Sequence, residues 1–278
     1  MCASINGNDK ILIMLQIINA NNNPFFVHGD IHGEFEDFFH QLTNIMELSD
    51  INLIICGDVG LGFYRPKYYN TIFKKIQKKL LKRNIHVYAF RGNHDDPEFF
   101  KNNDKLNEIL NGVKNIHIVD DYDIIRNDNH TILCIGGARS IDKCKRWKWD
   151  FRTQKQIPVG WWEGENVIDM PDNFEDFLSA NNLNIDTICS HTAPDFCEPL
   201  SNGCLLYWAK YDDTLIEDCT NERSLLTNIF NKLKISNNIK YWLYGHFHAK
   251  YLLYDNDIMF RCVDMFIPGN KLDMYDLN

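Results

Sequence analysis

The sequence predicts an α/β fold whose functional residues gather where strands end, and three observations carry that reading. Five short apolar runs each stop at Asp, Asn or His: Phe25-Phe26-Val27 at His28-Gly29-Asp30-Ile31-His32-Gly33, Ile51 to Cys56 at Gly57-Asp58-Val59-Gly60, Ile85 to Phe90 at Arg91-Gly92-Asn93-His94-Asp95, Ile185 to Cys189 at Ser190-His191-Thr192, and Tyr241 to Tyr244 at Gly245-His246-Phe247-His248. Segments of helical period lie between several of these runs, the alternation that lays helices on the faces of a sheet. At 278 residues, 45% of them hydrophobic, the chain has ample material for a buried core and reads as one domain over 1–278. In an α/β sheet such strand ends converge along one edge, where ligands bind.

Taken in order, residues 1–24 form an N-terminal extension in which Ile11-Leu12-Ile13-Met14-Leu15 either pairs as an extra strand or is an adventitious apolar stretch before the Asn21-Asn22-Asn23-Pro24 turn. From Glu34 the period turns helical, with Phe35, Phe38, Phe39, Leu42, Ile45 and Met46 on a core-facing side. Pro66 opens a second helix, Tyr69, Ile72, Phe73, Ile76 and Leu80 inward; Lys74, Lys75, Lys78, Lys79 and Lys82 form its other face, read as solvated. Asp96-Pro97 breaks the chain, and a short helix around Leu106 to Leu110 precedes strands at Ile116 to Val119 and Thr131 to Ile135.

Between Gly136 and Asp172 regular period is lost. Trp147, Trp149, Trp161 and Trp162 stand there beside Arg139, Lys143, Arg146 and Arg152, a density that fits either a recognition loop or packing under a cap. A helix begins at Phe174 to Leu178. Residues 194–222 read as irregular before a helix with Leu225, Leu226, Ile229, Phe230 and Leu233 inward, and a hairpin about Asp255-Asn256-Asp257 joins Tyr251 to Tyr254 with Ile258 to Val263. Segments 136–172 and 194–222 are taken as insertions lining the site.

Bulk properties narrow the function. A net charge of −9 disfavours grip on an extended nucleic acid, which depends on a basic footprint. The nine cysteines include no close CxxC pair, and Cys56, Cys134 and Cys189 sit inside apolar runs, the usage of a reducing compartment. No apolar run approaches the roughly 18 residues of a membrane span, and Lys10 alone precedes the Ile11 to Ile18 run, so a cytoplasmic protein without a signal peptide is expected.

Taken singly, a His at a strand end is ordinarily a hydrogen-bonded loop or core residue, and an Asp after Gly is ordinary turn chemistry. Asp30 and His32, two residues apart in a tight turn, already place a hard oxygen and an imidazole nitrogen together, half of a metal site. Five such endings in order make coincidence a poor account.

The order D-x-H, G-D, G-N-H-D, an isolated H, then G-H-x-H closely resembles the calcineurin-like metallophosphoesterases, from about Phe25 to His248. The resemblance implies a β-sandwich flanked by helices with two divalent metal ions at the strand ends. It gives one ion to Asp30, His32 and His248, the other to Asn93, His191 and His246, and has Asp58 bridge both. A shared carboxylate offsets the repulsion of ions roughly 3.5–4 Å apart, and the mixed imidazole and carboxylate set suits manganese first, with iron, zinc or nickel as alternatives. A hydroxide held between the ions attacks phosphorus in line, and His94, beside Asn93, is the implied general acid.

Two departures bear on the substrate. Protein Ser/Thr phosphatases of this superfamily read G-D-x-V-D-R-G at the second motif, whereas Leu61 and Gly62 stand at the corresponding positions here. The segment Gly136-Gly137-Ala138-Arg139-Ser140-Ile141-Asp142-Lys143, with Trp161-Trp162-Glu163, is similar to an insertion of phage- or bacterial-type members, which names no substrate. With the phosphatase Arg missing, Arg139 is the first candidate to hold phosphate, then Arg65, Lys143 or Arg146; the same Arg139 can equally be a loop anchor. The expected activity is hydrolysis of a small phosphorylated molecule or nucleotide. Alternatives are a nuclease using the Lys74 to Lys82 patch, a protein phosphatase, and a scaffold that lost chemistry, as in the retromer subunit of this fold. Oligomeric state stays open.

Overall fold

The computed structural model describes residues 14–101, 103–150, 155–197 and 203–277. Its first half runs β1 (Ile17–Asn19), β2 (Phe25–His28), α1 (Phe35–His40), β3 (Ile51–Cys56), α2 (Pro66–Lys82), β4 (Ile85–Phe90), α3 (Asp104–Leu110), β5 (Ile116–Ile118), β6 (Ile124–Arg126) and β7 (Thr131–Ile135). Then follow β8 (Trp147–Asp150), β9 (Lys155–Pro158), α4 (Phe174–Ala180), β10 (Thr187–Ser190), α5 (Gly203–Trp208), α6 (Leu215–Ser236), β11 (Tyr241–Tyr244), β12 (Tyr251–Asp255), β13 (Ile258–Cys262) and β14 (Tyr275–Asp276).

One sheet has the order β14-β2-β3-β4-β5 and the other β1-β6-β7-β10-β11-β13-β12, with β8 and β9 forming a separate hairpin. Side-chain alternation explains why both sheets are covered twice. On β3, Ile54 and Cys56 point to the other sheet, while Leu53 and Ile55 point to α1, α2 and α3. On β10 and β11, Cys189 and Leu243 face the sandwich interior, whereas Ile188, Trp242 and Tyr244 pack towards α4 and α6. The result is a β-sandwich with helices on both outer faces. Strands β2 to β5 run parallel, as do β7, β10, β11 and β13, so their C-terminal ends share an edge.

Several elements depart from the sequence expectation. Ile11, Ile13 and most of the anticipated N-terminal strand lie outside the described residues, as do Cys2, Arg152 and Pro199; the observed strand is β1, parallel to β6. The first helix gives way at Gln41–Ile45 to a π-helical turn, whose wider winding rotates the face and leaves Ile45 exposed, contrary to its expected inward position. Much of the stretch read as irregular is helical: α5 and the first two turns of α6 occupy it. The short strands β6 and β14 were not anticipated; β14 adds antiparallel to β2. The hairpin of β12 and β13 turns at Asn256, which holds the positive φ that Asn tolerates. Among the described residues no helix is long and apolar enough to cross a membrane.

Candidate functional site

Three of the five strand ends, those of β2, β3 and β11, deliver polar residues in a backbone shape that extended chain does not reach. His32, Asp58, His246 and His248 all have positive φ, between 46° and 65°. Close approach requires glycine at two neighbours: a Cβ at Gly92 would overlap Asp58 Oδ1, and one at Gly245 would overlap Asp30 Oδ1.

Two groups of donor atoms result. Asp30, His32, Asp58 and His248 each offer one atom, all within 4.8 Å of one another. Within that group His248 Nε2 lies 2.9 Å from Asp30 Oδ2 and 3.1 Å from His32 Nε2. In the second group His191 Nε2 lies 3.0 Å from Asn93 Oδ1 and 3.3 Å from Asp58 Oδ1, and His246 Nδ1 lies 3.0 Å from Asn93 Oδ1. Asp58 therefore faces both groups, its other oxygen 3.8 Å from His32 Nδ1.

Outer partners aim these donors. His191 Nδ1 donates to the Cys56 carbonyl at 2.7 Å, which turns Nε2 inward. Asn93 Nδ2 donates to Ser140 Oγ at 3.0 Å, and Ser140 donates on to Glu165 through Oγ and its backbone N–H. That chain turns Asn93 Oδ1 towards the imidazoles. Converging carboxylate oxygens, an amide oxygen and imidazole nitrogens, with no Lys or Arg bonded to Asp30 or Asp58 among the described residues, are the donor set of a divalent first-row metal. The residues present fit such ions.

Electrostatics agrees. Burial works against ionisation of Asp58, but His191, His94 and His32 outweigh it and hold the carboxyl well below its usual range. Burial likewise opposes a proton on His191, yet Asp58 and Asp30 raise its pKa to about 9. His246 is lowered to about 3, by burial and then by the His191 charge. His94 is lowered to about 4 by burial, with Arg146 adding to the effect and Asp58 opposing it.

Asp95, which follows His94, holds the second motif against the third. Its carboxylate accepts the N–H groups of Val59, Gly60, Leu61 and Gly92 at 2.7–3.0 Å. Burial and the Asp58 charge push its pKa up to about 7, and the N–H groups of Gly92, Leu61 and Val59 pull the other way.

A cavity of about 590 Å³ opens over the donors, walled by His32, Asp58, Asn93, His94, His246 and His248 on the metal side. Arg139, Ile141, Asp142 and Arg146 supply a second wall, and Leu205, Trp208, Glu222 and Arg223 a third. Of the basic residues singled out from sequence, Arg146 is the one against His94: Nη1 and Nη2 lie 3.0 and 2.7 Å from its ring nitrogens. Asp142 and the Gly160 carbonyl brace the same guanidinium. Arg139, the first choice, reaches the cavity wall but is ion-paired to Asp218 at 3.1 Å. Arg65 is an exposed residue at the start of α2, and Lys143 lies over the Trp161 ring at 4.5 Å; neither lines the cavity. None of the α2 lysines lines it either, and Lys75 pairs with Glu36. Arg91 is buried, bonded to Asp121 and to the carbonyls of Gly164, Glu165 and Asn166, so it braces the insertion instead of facing the cavity.

Sequence reasoning missed Ser140, Glu165, Asp142 and Trp208. Ser140 and Asp142 stood in a segment already marked as unusual, while Glu165 and Trp208 carried no signal of their own.

Residues 24–250 match the family model described as calcineurin-like phosphoesterase. Among curated proteins no relative matches the chain. Solved structures with a similar course include TT1561 of Thermus thermophilus (8% identity, 87% of this chain and 89% of that one, TM-score 0.49). Others are the phosphopantetheinyl hydrolase of Mycobacterium tuberculosis (12%, 87% and 89%, 0.42) and an archaeal phosphodiesterase (13%, 87% and 83%, 0.35).

Proposed function

Because the chain belongs to the calcineurin-like phosphoesterase family, and so is a metal-dependent phosphoester hydrolase, we propose that it cleaves a small phosphorylated molecule at the donor cluster described above. The observation that carries this reading is the pair of donor groups sharing Asp58. Asp30, His32 and His248 would hold one divalent ion, Asn93, His191 and His246 the other, with Asp58 between them, and manganese is the metal we favour. Bound there, two such ions supply Lewis acidity to the phosphoryl oxygens and activate a water for in-line attack.

The protein's own residues do the rest. Asp58 would offset the repulsion of the two cations, and the Ser140 and Glu165 chain keeps Asn93 oxygen-first. His94 carries the proton for the leaving oxygen. Burial and Arg146 keep it neutral at rest; a phosphoryl group arriving with negative charge draws the guanidinium to itself and raises the imidazole pKa towards the working range. Arg146, not Arg139, is then the phosphate-holding cation. Eight described cysteines with free thiols fit a reducing, cytoplasmic setting. Leu61 and Gly62 stand where protein Ser/Thr phosphatases carry their second-motif Asp and Arg, which weighs against a protein phosphatase, and the α2 lysines lie off the cavity, which weighs against a nuclease.

The test is turnover of p-nitrophenyl phosphate, bis-p-nitrophenyl phosphate and a nucleotide panel by manganese-loaded protein, with metal analysis alongside. Asp58→Asn should lose at least one ion and more than about 100-fold of the activity, since outer-partner changes alone cost roughly 10–100-fold. An inert wild type, or a variant with two ions and normal turnover, overturns the assignment.

A further inference from the structure

The cavity above the metal edge is not the only recess that reaches His94. A groove of about 500 Å³ also borders the Arg146 guanidinium, lined by Phe63, Val159, Gly160 and Trp162 together with His94, Asp142 and Arg146. His94, Asp142 and Arg146 border both recesses, so they form a waist between two chambers. The chambers differ in kind. Asp58, Asn93, His32, His246 and His248 line the first alone, whereas the groove has an aromatic rim, with Phe63 6.1 Å from Trp162 and 6.5 Å from the His94 ring.

The first chamber also has an apolar share in its lining, from Trp208, Leu205 and Ile141. Lys145, adjacent in sequence to Arg146, sits over the Trp208 indole at 4.3 Å and ties this wall to the one that carries the waist. A monoester has one organic arm and fills one chamber only. Two chambers, each with an aromatic side chain in its lining, that meet at a cation and an imidazole fit an ester with two arms.

We propose that the substrate is a small phosphodiester bearing two aromatic or similarly flat substituents, one for each chamber. This rests on the phosphoesterase reading. Its phosphoryl group sits at the waist, where Arg146 takes a non-bridging oxygen. The arm that stays on phosphorus lies against Trp208 and Leu205, and the arm that leaves lies over His94 between Phe63 and Trp162, on the side without metal donors. The bond from phosphorus to the leaving oxygen breaks and a bond to a water oxygen forms. His94 gives its proton to the leaving oxygen and is reprotonated from solvent, to which the attacking water loses its own proton, so the products are a phosphomonoester and an alcohol.

Two measurements on the full chain test this. Manganese-loaded protein should show a kcat/KM for bis-p-nitrophenyl phosphate at least about tenfold above that for p-nitrophenyl phosphate, the size of an aromatic contact. Trp208→Ala should shrink that ratio by about tenfold, Trp208→Phe should restore most of it, and Trp162→Ala should lower both substrates alike. Calorimetric titration of metal-free protein, where no turnover intervenes, should show bis-p-nitrophenyl phosphate bound more tightly than p-nitrophenyl phosphate, and Trp208→Ala should erase the difference. Equal or better turnover of the monoester, or a Trp208→Ala loss common to both esters, overturns the diester assignment and leaves the phosphoesterase reading standing. Absence of turnover on every ester with any metal overturns both.

Discussion

Without metal, the His191 imidazole holds a proton that its two carboxylate neighbours retain up to a pKa of about 9. A metal ligand has to be neutral, so binding must expel that proton. The sign follows directly: below about pH 9 the ion competes with a proton, and apparent affinity rises with pH until that point. Manganese titrated calorimetrically into metal-free protein at pH 7.5, in two buffers of different ionisation enthalpy, should release about one proton per protein. Heats that do not depend on the buffer would remove His191 from the ligand set. At this scale the candidate donors were legible because Asp and His after an apolar run are rare and chemically specific. Ser140, Glu165 and the choice of Arg146 over Arg139 were not. They depend on which side chains meet across the folded chain, such as Asn93 with Ser140 or Arg146 with His94, and no local pattern encodes that meeting.

Longer elements were legible where an apolar buried face repeats with a regular period. The inward residues of α2, Tyr69, Ile72, Phe73, Ile76 and Leu80, are all buried as their period requires. The start of α6 was opaque for the opposite reason: one of its cavity-facing residues, Glu222, makes polar contacts, accepting the N–H groups of Arg139 and Val167, and a polar inward face leaves no hydrophobic period. The insertion is likewise held by polar bonds, chiefly those of Arg91 at the end of β4. Arg91→Ala leaves buried Asp121 without its ion pair and strips a donor from three carbonyls. Unfolding in urea should show a loss of about 3–5 kcal/mol, the range for removing one partner of a buried pair. A loss under 1 kcal/mol would mean that the insertion does not depend on this anchor.

For the whole molecule, the alternation of strands and helices was readable, but not which sheet each strand joins. Membership depends on long crossovers, and three-residue strands such as β6 are too short for a period to show. The complete fold also sets a pH response that no segment contains. His94, His117 and His28 are lowered to about 4, chiefly by burial, so each favours the folded state more as pH rises from about 4 to 6.5. Asp120 and Asp123 are raised to about 6 and about 7, first by burial and then by neighbouring carboxylates, Asp121 for Asp120, and Asp120 with Asp121 for Asp123. Their contribution is full below about pH 4 and lost as pH climbs through 6 to 7. These trends oppose each other, so the informative quantity is a difference. The Tm of Asp123→Asn minus that of wild type should increase between pH 4.5 and 7.5; a difference independent of pH would show that Asp123 titrates normally in the fold.

The left-handed backbone at His32, Asp58, His246 and His248 has a consequence for how this protein changes under selection. Each non-glycine residue so held raises the energy of the folded chain by about 1–3 kcal/mol, and glycine or asparagine at the same place relaxes it. Natural proteins lie only a little above the stability they need, so gains of that size are conspicuous in any search for hardier variants. A library of this chain screened for heat resistance alone, without metal, would therefore be drawn to the four positions on which the chemistry depends, and its toughest members would be its inert ones.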